Sequence, residues 1–597
     1  MKRTPQYKRH FSLILQIYKF YIMAIHIAYG IASFESLILQ DYHYVDRTEY
    51  IEKIETSKER HIAFLRPRRF GKTLFVNTLE LYYDIRQKSK CAALFGKTYI
   101  GKNPTLLANT YRILSFNFSG ITTSTEEKAH TSFLITVKIT VNAFLLAYFS
   151  ENHKEMKGVI DAQTEPSEVM KYLFDFVEGQ NTPEKMYITI DEYDHFANEL
   201  ISFNMTAFKN IVTKNGWLRK FYETIKIATN KNIVDRIFIT GVSPITLDSL
   251  TSGFNIVKQL SGDLNLHELM GFTAEEVADI MLGVGAPPEK LPQIMQDLTN
   301  WYDGYLFAEE ATTHLFNPDM VMYFASEYKK RLKYPRRMLD INVMSDYSKI
   351  RNLFKIGGQE QQRIAILEKL LQEGEVIMKI IDQFTFEKNF DNSHFINMLY
   401  YSGALTIKGY LGDEAIFTIP NYVIKQLYFE YFSQILMDET ALNRDNLGYA
   451  EAVRALVYQN DVQPLVTAVS TIMSKLSNRD SMQFGEKHLK SIFTTILMFS
   501  EVYYIHSELE LERHYIDLFI ERTSRFEIPF QFLFEFKYYS EAKQKAIDEK
   551  GDWGTELEKA RKQLTTYKDL DYFKDKQGLK PWLFVFVGDT PVVVEEI

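Results

Sequence analysis

The chain has 597 residues, of which 46% are hydrophobic and 24% charged, and at about 100–200 residues per domain this implies roughly three or four domains. The composition excludes wholesale disorder, collagen and coiled coil, and the single Cys91 excludes internal disulfides and cysteine-based zinc while pointing to a reducing compartment. With 69 Lys and Arg against 77 Asp and Glu the net charge is -8, so there is no global basic footprint and any phosphate contact must come from local clusters.

The first thirty residues carry Lys2, Arg3, Lys8 and Arg9 ahead of an apolar run over 11–31, which looks superficially like a signal peptide or anchor. Lys19 in its middle would cost roughly 2.5–3.5 kcal/mol at the centre of a spanning helix. No other stretch approaches the length of about 20 residues that spanning needs, so no stable membrane association is expected. Residues 1–27 read as an N-terminal extension, with Met23 as the alternative start and 1–22 as upstream translation.

Residues 61–65 (His-Ile-Ala-Phe-Leu) form a short apolar run that ends in a basic turn. Residues 73–83 then carry Leu74, Leu79, Leu81 and Tyr82 at helical spacing, which predicts strand, loop, helix. Further strands are predicted over 111–118, 187–190 and 236–240, with a long helix over 126–149. Strands alternating with helices predict a parallel sheet covered on both faces. Beyond residue 262 the pattern is helical to about 480, beginning with a Thr273-x-x-Glu276 capping box. A winged-helix module near 395–432 is one reading of the β-like runs around Gly409 and Gly412. From 485 the pattern returns to α/β, with strands near 513–521, 528–538 and 582–587 and helices near 486–499 and 554–568. The expected organisation is therefore 28–262, 263–484 and 485–597, an α/β chain with a helical middle.

Arg66-Pro67-Arg68-Arg69-Phe70-Gly71-Lys72-Thr73 matches the last three positions of the Walker A pattern, with Arg66 where the first glycine belongs. Such a loop cradles phosphate with backbone N–H groups, reaches the β/γ-phosphates with its Lys and holds Mg²⁺ with its hydroxyl. Arg68, Arg69, Phe70, Gly71, Lys72 and Thr73 are the candidate nucleotide-binding residues. The strand Tyr187-Ile188-Thr189-Ile190 ends in Asp191 and Glu192, the first carboxylate suited to Mg²⁺ and the second to orienting an attacking water. Thr240, ending a later strand, is the candidate γ-phosphate sensor.

These segments, together with Tyr44-Val45-Asp46-Arg47, Tyr193-Asp194, Thr240-Gly241-Val242, Trp301-Tyr302-Asp303-Gly304-Tyr305 and Phe316-Asn317-Pro318, resemble bacterial AAA-ATPase-like proteins. The resemblance implies a P-loop NTPase sheet, ATP and Mg²⁺ as ligands and a cytoplasmic bacterial protein. It also implies that Arg66 is the form this family's loop normally takes.

Phe530, Phe532, Phe534 and Phe536 alternate with Glu535 and Lys537, so a phenylalanine face backs a carboxylate and an ammonium two residues apart. Glu535 can hold Mg²⁺ and Lys537 can position an attacking water, while Asp517 on the preceding strand can meet Glu535 across a hairpin. Gln563 and Tyr567, four apart on a helix, present two donors to a backbone phosphate. Glu486 and Glu508 are further acidic candidates, each also readable as a surface charge. This region resembles the PD-(D/E)XK nuclease superfamily, whose signature implies catalytic Asp517, Glu535, Lys537, Gln563 and Tyr567 and a restriction-endonuclease-like fold. Relatives usually carry Gly-Arg-x-Asp where this chain has His514-Tyr515-Ile516-Asp517. Three functions follow: an ATPase fused to a Mg²⁺-dependent DNA nuclease, a nucleotide-controlled interaction switch whose nuclease fold is silent, or a DNA-binding helical middle without catalysis, against which the net acidity argues. Oligomeric state stays open.

Overall fold

The computed structural model describes residues 25–203, 205–212, 216–245, 254–340, 343, 353–354, 356–382, 384, 390–440, 447–477, 485–498, 502–512 and 514–597. Most of the N-terminal extension, including Met23, lies outside the described residues. The chain forms two compact units, one from residues 1–363 and 377–421, the other from 364–376 and 422–597.

The first unit is built on β1 (His61–Leu65), β2 (Arg112–Asn117), β3 (Met186–Asp191), β4 (Val234–Gly241) and the short β5 (Lys258–Gln259). They lie in the order β2-β3-β4-β1-β5, and every pair is parallel. All six residues of β3 are buried, as a sheet covered on both faces requires. One face receives α1 (Lys72–Tyr83), whose Phe75, Leu79, Tyr82 and Tyr83 share a core with Ile62, Phe64 and Phe238. The other receives α2 (Glu126–Tyr148) and α3 (Trp217–Asn230), where Phe133 and Phe221 meet Phe118 and Phe116 edge-on or tilted at 4.8 and 5.5 Å. The loop after β1 and the acidic end of β3 thus belong to strands separated by β4.

The 23-residue α2 is long and apolar enough to cross a membrane by length and composition alone, which corrects the expectation that no second stretch reaches that length. Ala129, Phe133, Val137, Val141, Phe144 and Leu145 face inward. Farther along come α4 (Ala274–Gly283), with both hydrogen bonds of the Thr273–Glu276 capping box formed, and α5 (Pro318–Arg331). In the 395–432 region, α6 (Asn392–Tyr401) is followed by the hairpin β6 (Thr406–Leu411) and β7 (Glu414–Thr418).

In the second unit the sheet runs β12-β11-β10-β9-β8, formed by β8 (Tyr503–Leu511), β9 (His514–Arg522), β10 (Gln531–Tyr539), β11 (Leu579–Val587) and β12 (Thr590–Glu596). Only β10 and β11 are parallel. Phe532, Phe534 and Phe536 pack toward α7 (Glu486–Met498) through Phe493, while Leu533 faces α8 (Trp553–Lys568) through Leu564. The alternation expected of β10 is therefore present. The helical segments Leu447–Gln459 and Gln463–Ser477 join the same core as Phe532 and Phe584, so the second compact unit begins well before residue 485.

Candidate nucleotide and metal sites

β1 delivers the chain at Leu65 into a loop that closes at Gly71, the residue before α1. Gly71 has φ +94°, a conformation open to glycine and costly for a residue with Cβ. Its two successors make the site. The Lys72 ammonium, buried, donates to the carbonyls of Arg66 and Pro67 at 3.2 and 3.1 Å and lies 3.9 Å from Glu192 Oε1. The Thr73 hydroxyl donates to Asp191 Oδ2 at 2.8 Å, so the loop and the end of β3 meet directly. Burial holds the Asp191 carboxyl above its ordinary range, while hydrogen bonds from Thr73 and the nearby Lys72 charge oppose that rise. Asn117 donates to the same oxygen at 3.3 Å. Glu192, with φ +53°, follows beside His195 at 4.0 Å.

A cavity of about 300 Å³ opens over this loop. Arg69, Phe70, Gly71, Lys72, Thr73 and Glu192 line one end, and Ile31, Leu37, Met270, Phe272 and Met322 supply apolar wall. Arg68 is half-buried and absent from that lining. Arg69 reaches Asp319 Oδ2 at 2.7 Å in the first turn of α5, whose cap is Asn317 accepting from the Asp319 and Met320 N–H groups. Phe70 packs edge-on against Tyr305 and Phe307 at 5.0 and 5.4 Å. At φ +79°, Gly403 lets Pro67 approach so closely that a Cβ would meet Pro67 Cβ at 2.8 Å.

One expectation changes here, that of Thr240 as γ-phosphate sensor, and one cation of the basic turn proves to be internal. Arg66 is not part of a phosphate-facing basic cluster: it is buried, and its guanidinium donates to Leu65 O (3.0 Å), Ser261 O (2.7 Å) and His267 O (3.2 Å). It also lies over the Phe64 and Phe307 rings at 4.3 and 4.2 Å. Burial lowers its pKa to about 9, which still leaves it charged at neutral pH. Thr240 is fully buried, and its hydroxyl donates to Phe64 O at 2.9 Å, bonding β4 to β1 instead of facing the cavity.

One residue that sequence reasoning quoted without a role is Asp194. Fully buried, it accepts from Val242 N (3.0 Å), Ser243 N (2.7 Å), Ser243 Oγ (2.8 Å) and Asn198 Nδ2 (2.7 Å), which fixes the turn after β4. The Asp191-Glu192-Tyr193-Asp194 run was the available signal, since Gly241 must lack a Cβ for Asp194 and Tyr193 to fit against it.

In the second unit, β9 and β10 pair antiparallel with Leu518 opposite Phe534, a register that carries Asp517 to Glu535. Asp517 Oδ2 accepts from Phe536 N at 2.9 Å, and Lys537 donates to Glu535 Oε1 at 2.7 Å. Glu535 Oε2 is buried with no hydrogen-bond partner. Burial, reinforced by the Asp517 charge, pushes the Glu535 carboxyl up to about 8. α7 adds two groups one turn apart: Lys490, buried, 3.4 Å from Asp517 Oδ1, and Glu486, 4.0 Å from Lys537 Nζ. Sequence reasoning missed Lys490, because a lysine between Leu489 and Ile492 on an apolar helix reads as a snorkelling surface residue.

Among the described residues no three His, Cys, Asp or Glu side chains converge as a metal cage. Asp517 and Glu535 nevertheless fit a hard divalent cation that takes one or two carboxylates and completes its shell with water and substrate oxygen, and the orphaned Glu535 oxygen is the atom such an ion would satisfy. Gln563 and Tyr567 are brought together, but they work inward: Gln563 donates to the Tyr567 hydroxyl, which donates to Tyr515 O at 2.9 Å. His514 packs against the Tyr567 ring at 5.7 Å. The residues that depart from Gly-Arg are thereby tied to α8. The side chain of Glu508 lies outside those described.

Residues 28–251 match the family model described as predicted AAA-ATPase, and residues 484–596 match that of the PD-(D/E)XK nuclease superfamily. Each match covers one segment of the chain, and neither reaches half of it. An uncharacterized protein in the vnfD 5' region of Azotobacter chroococcum mcd 1 is 27% identical over 289 residues, 48% of this chain and 48% of that one. The chain thus spans about half the length of the curated relative it matches. A Walker-type ATPase of Pyrococcus abyssi aligns with 11% identity and a TM-score of 0.36, covering 64% of this chain and 96% of that one, too slight a likeness to carry an argument. For the AAA-ATPase-like domain the geometry stands on its own: loop, acidic strand end and apolar cavity converge. For the PD-(D/E)XK domain, Asp517, Glu535 and Lys537 do so.

Proposed function

We propose that this chain binds and hydrolyses ATP at residues 69–73 and that its C-terminal domain is a Mg²⁺-dependent DNA nuclease. The observation that carries the first half is the 2.8 Å hydrogen bond from Thr73 to Asp191, which joins the two groups that hold Mg²⁺ in nucleotide hydrolases. Phosphates are received at the start of α1, where the first N–H groups have no acceptor within the helix and the dipole favours negative charge. Lys72 exchanges two backbone carbonyls for phosphate oxygen, and the apolar wall beyond it accepts the base. Glu192 orients the attacking water. Thr73 and Asp191 would hold Mg²⁺, which would supply neutralisation of the phosphate charge when bound.

In the nuclease, Asp517 and Glu535 would hold the divalent cation, which would supply Lewis-acid polarisation of the phosphodiester and a more acidic water when bound. Lys537 positions that water, while Gln563 and Tyr567 fix the strand end that carries Tyr515. The test pairs two variants. Lys72→Ala is expected to lose nucleotide binding, and Lys537→Ala to lose Mg²⁺-dependent plasmid cleavage while keeping nucleotide binding. Cleavage that survives Lys537→Ala removes the nuclease assignment.

A second reading, the nucleotide-controlled switch with a silent nuclease fold, is favoured by one observation. Both Asp517 oxygens already have partners, Lys490 and the Phe536 N–H, so a cation must displace an internal ammonium. Purified protein that leaves plasmid intact with both Mg²⁺ and Mn²⁺, with and without ATP, decides for it.

A further inference from the structure

The final turn of α5 and the residues after it read Lys329-Lys330-Arg331-Leu332-Lys333-Tyr334-Pro335-Arg336-Arg337, six cations in nine residues with no acid, inside a protein of net charge -8. A helix C-terminus favours cations, but that effect falls off within the last turn and does not account for Lys333, Arg336 and Arg337 beyond it. Leu332 turns the chain out of the helix with φ +51°, and the segment folds back so that the Tyr323 hydroxyl donates to Arg337 O at 3.1 Å and the Tyr334 hydroxyl to Asp297 Oδ2 at 2.6 Å. The cations are held on a braced turn. Lys330 pairs with Glu327 and Lys329 donates to Ile25 O at 2.8 Å. Arg331, Lys333 and Arg337 are exposed, and among the described residues no acidic side chain pairs with them. Between Arg331, Arg336, Arg337, Tyr323 and Tyr334 lies a cavity of about 260 Å³, whose one acidic lining residue, Glu327, is paired with Lys330.

We propose that this basic turn is a nucleic-acid backbone-binding site on the ATPase unit, made of residues outside the nuclease domain, with Arg331, Lys333 and Arg337 contacting phosphates. Clustered guanidinium and ammonium groups around tyrosines suit a polyanion of regularly spaced phosphates with bases between them. The choice of nucleic acid as the polyanion rests on the nuclease reading, whereas the site itself needs no cleavage.

The test uses the full chain carrying Asp517→Asn in metal-free buffer, so that binding is read without cleavage. A fluorescein-labelled 30-base-pair duplex, a 30-nucleotide single strand and phosphatidylserine/phosphatidylcholine vesicles are the probes. Losing three phosphate contacts is expected to reduce the slope of log K against log salt by about 2.7, at about 0.9 per contact on duplex DNA. Between 50 and 200 mM salt, R331Q/K333Q/R337Q would then lose about 40-fold less affinity than the parent, would bind at least tenfold more weakly at 100 mM, and would keep its ATP affinity. The single variant Lys333→Gln, at an exposed position, is expected to reduce the slope by about 0.9 and guards against misfolding of the triple variant. An unchanged slope in both variants overturns the proposal, and so does vesicle binding as tight as DNA binding. Cleavage is read separately, on the chain with native Asp517 in Mg²⁺: a reduced slope with no cleavage by that chain keeps the site and removes the nuclease, and cleavage with an unchanged slope does the reverse.

Discussion

Restoring the glycine that the Walker A pattern asks for should damage this protein. Arg66→Gly removes three guanidinium hydrogen bonds, to Leu65 O, Ser261 O and His267 O, and two ring contacts, with Phe64 and Phe307. Hydrogen bonds to a charged group contribute about 1.5–3 kcal/mol each, and exposed cation–π contacts begin at about 0.5 kcal/mol. The lower ends give about 5.5 kcal/mol, and releasing a buried charge from its desolvation cost offsets part of this, leaving a net loss of about 3 kcal/mol. For a unit of about 400 residues, at about 2.1 cal/mol/K per residue, that lowers its thermal transition by about 3–4 °C. The loop also loses its anchor to residues 261 and 267, so ATP affinity should fall at least tenfold. Differential scanning calorimetry and titration with a fluorescent ATP analogue read the two effects, with Arg66→Lys intermediate because it keeps the charge without the planar fork. An Arg66→Gly protein that melts where the parent does and binds ATP as tightly would refute the strut and return Arg66 to the phosphate site.

The remaining predictions concern charged groups at the two sites. Glu192→Gln should retain ATP binding and slow hydrolysis by about 10²–10⁴-fold, the range for loss of a group that handles the attacking water, as measured by phosphate release. Because burial raises the folded Glu535 carboxyl from 4.5 to about 8, the folded state binds a proton that the unfolded state has lost between those values. Stability of the metal-free protein should therefore fall as pH rises from about 4.5 to about 8, and melting temperatures of Glu535→Gln against the parent should show that slope disappear. Divalent-cation binding should run the opposite way and strengthen toward pH 8, as calorimetric titration with Mn²⁺ would record. Lys490→Met should tighten that Mn²⁺ binding, since it removes the cation already facing Asp517; weaker binding would mean that Lys490 helps to build the site.

Where candidate residues sat on one short segment, the sequence was enough to place them together. Glu535 and Lys537 share a strand and Gly71, Lys72 and Thr73 share a turn, so period and spacing located them. The apolar run before residue 66 and the Asp191–Glu192 strand end likewise foretold a parallel sheet. What escaped depends on distant parts of the chain. Whether Arg66 faces phosphate or backbone is decided by residues 261–267, nearly two hundred positions away. Thr240 bonds sideways to β1 because β4 lies between the loop strand and the acidic strand, an order no local pattern encodes. Lys490 approaches Asp517 from a helix that precedes β9, and the flanking strands β8 and β12 went unread because their mixed polarity offers a weak alternation.

The discontinuity of the first unit has a consequence for biosynthesis. The phosphate loop ends at Thr73, but Gly403, against which Pro67 rests, and Asn421, which donates to Asp303 O at 2.9 Å, are made some 350 residues later. At about 5–20 residues per second this is roughly 20–70 s during which the nascent loop exists without its floor. Nucleotide should therefore be captured late, when ribosomes have passed residue 421, and chains stalled before that point should not be retained on immobilised ATP.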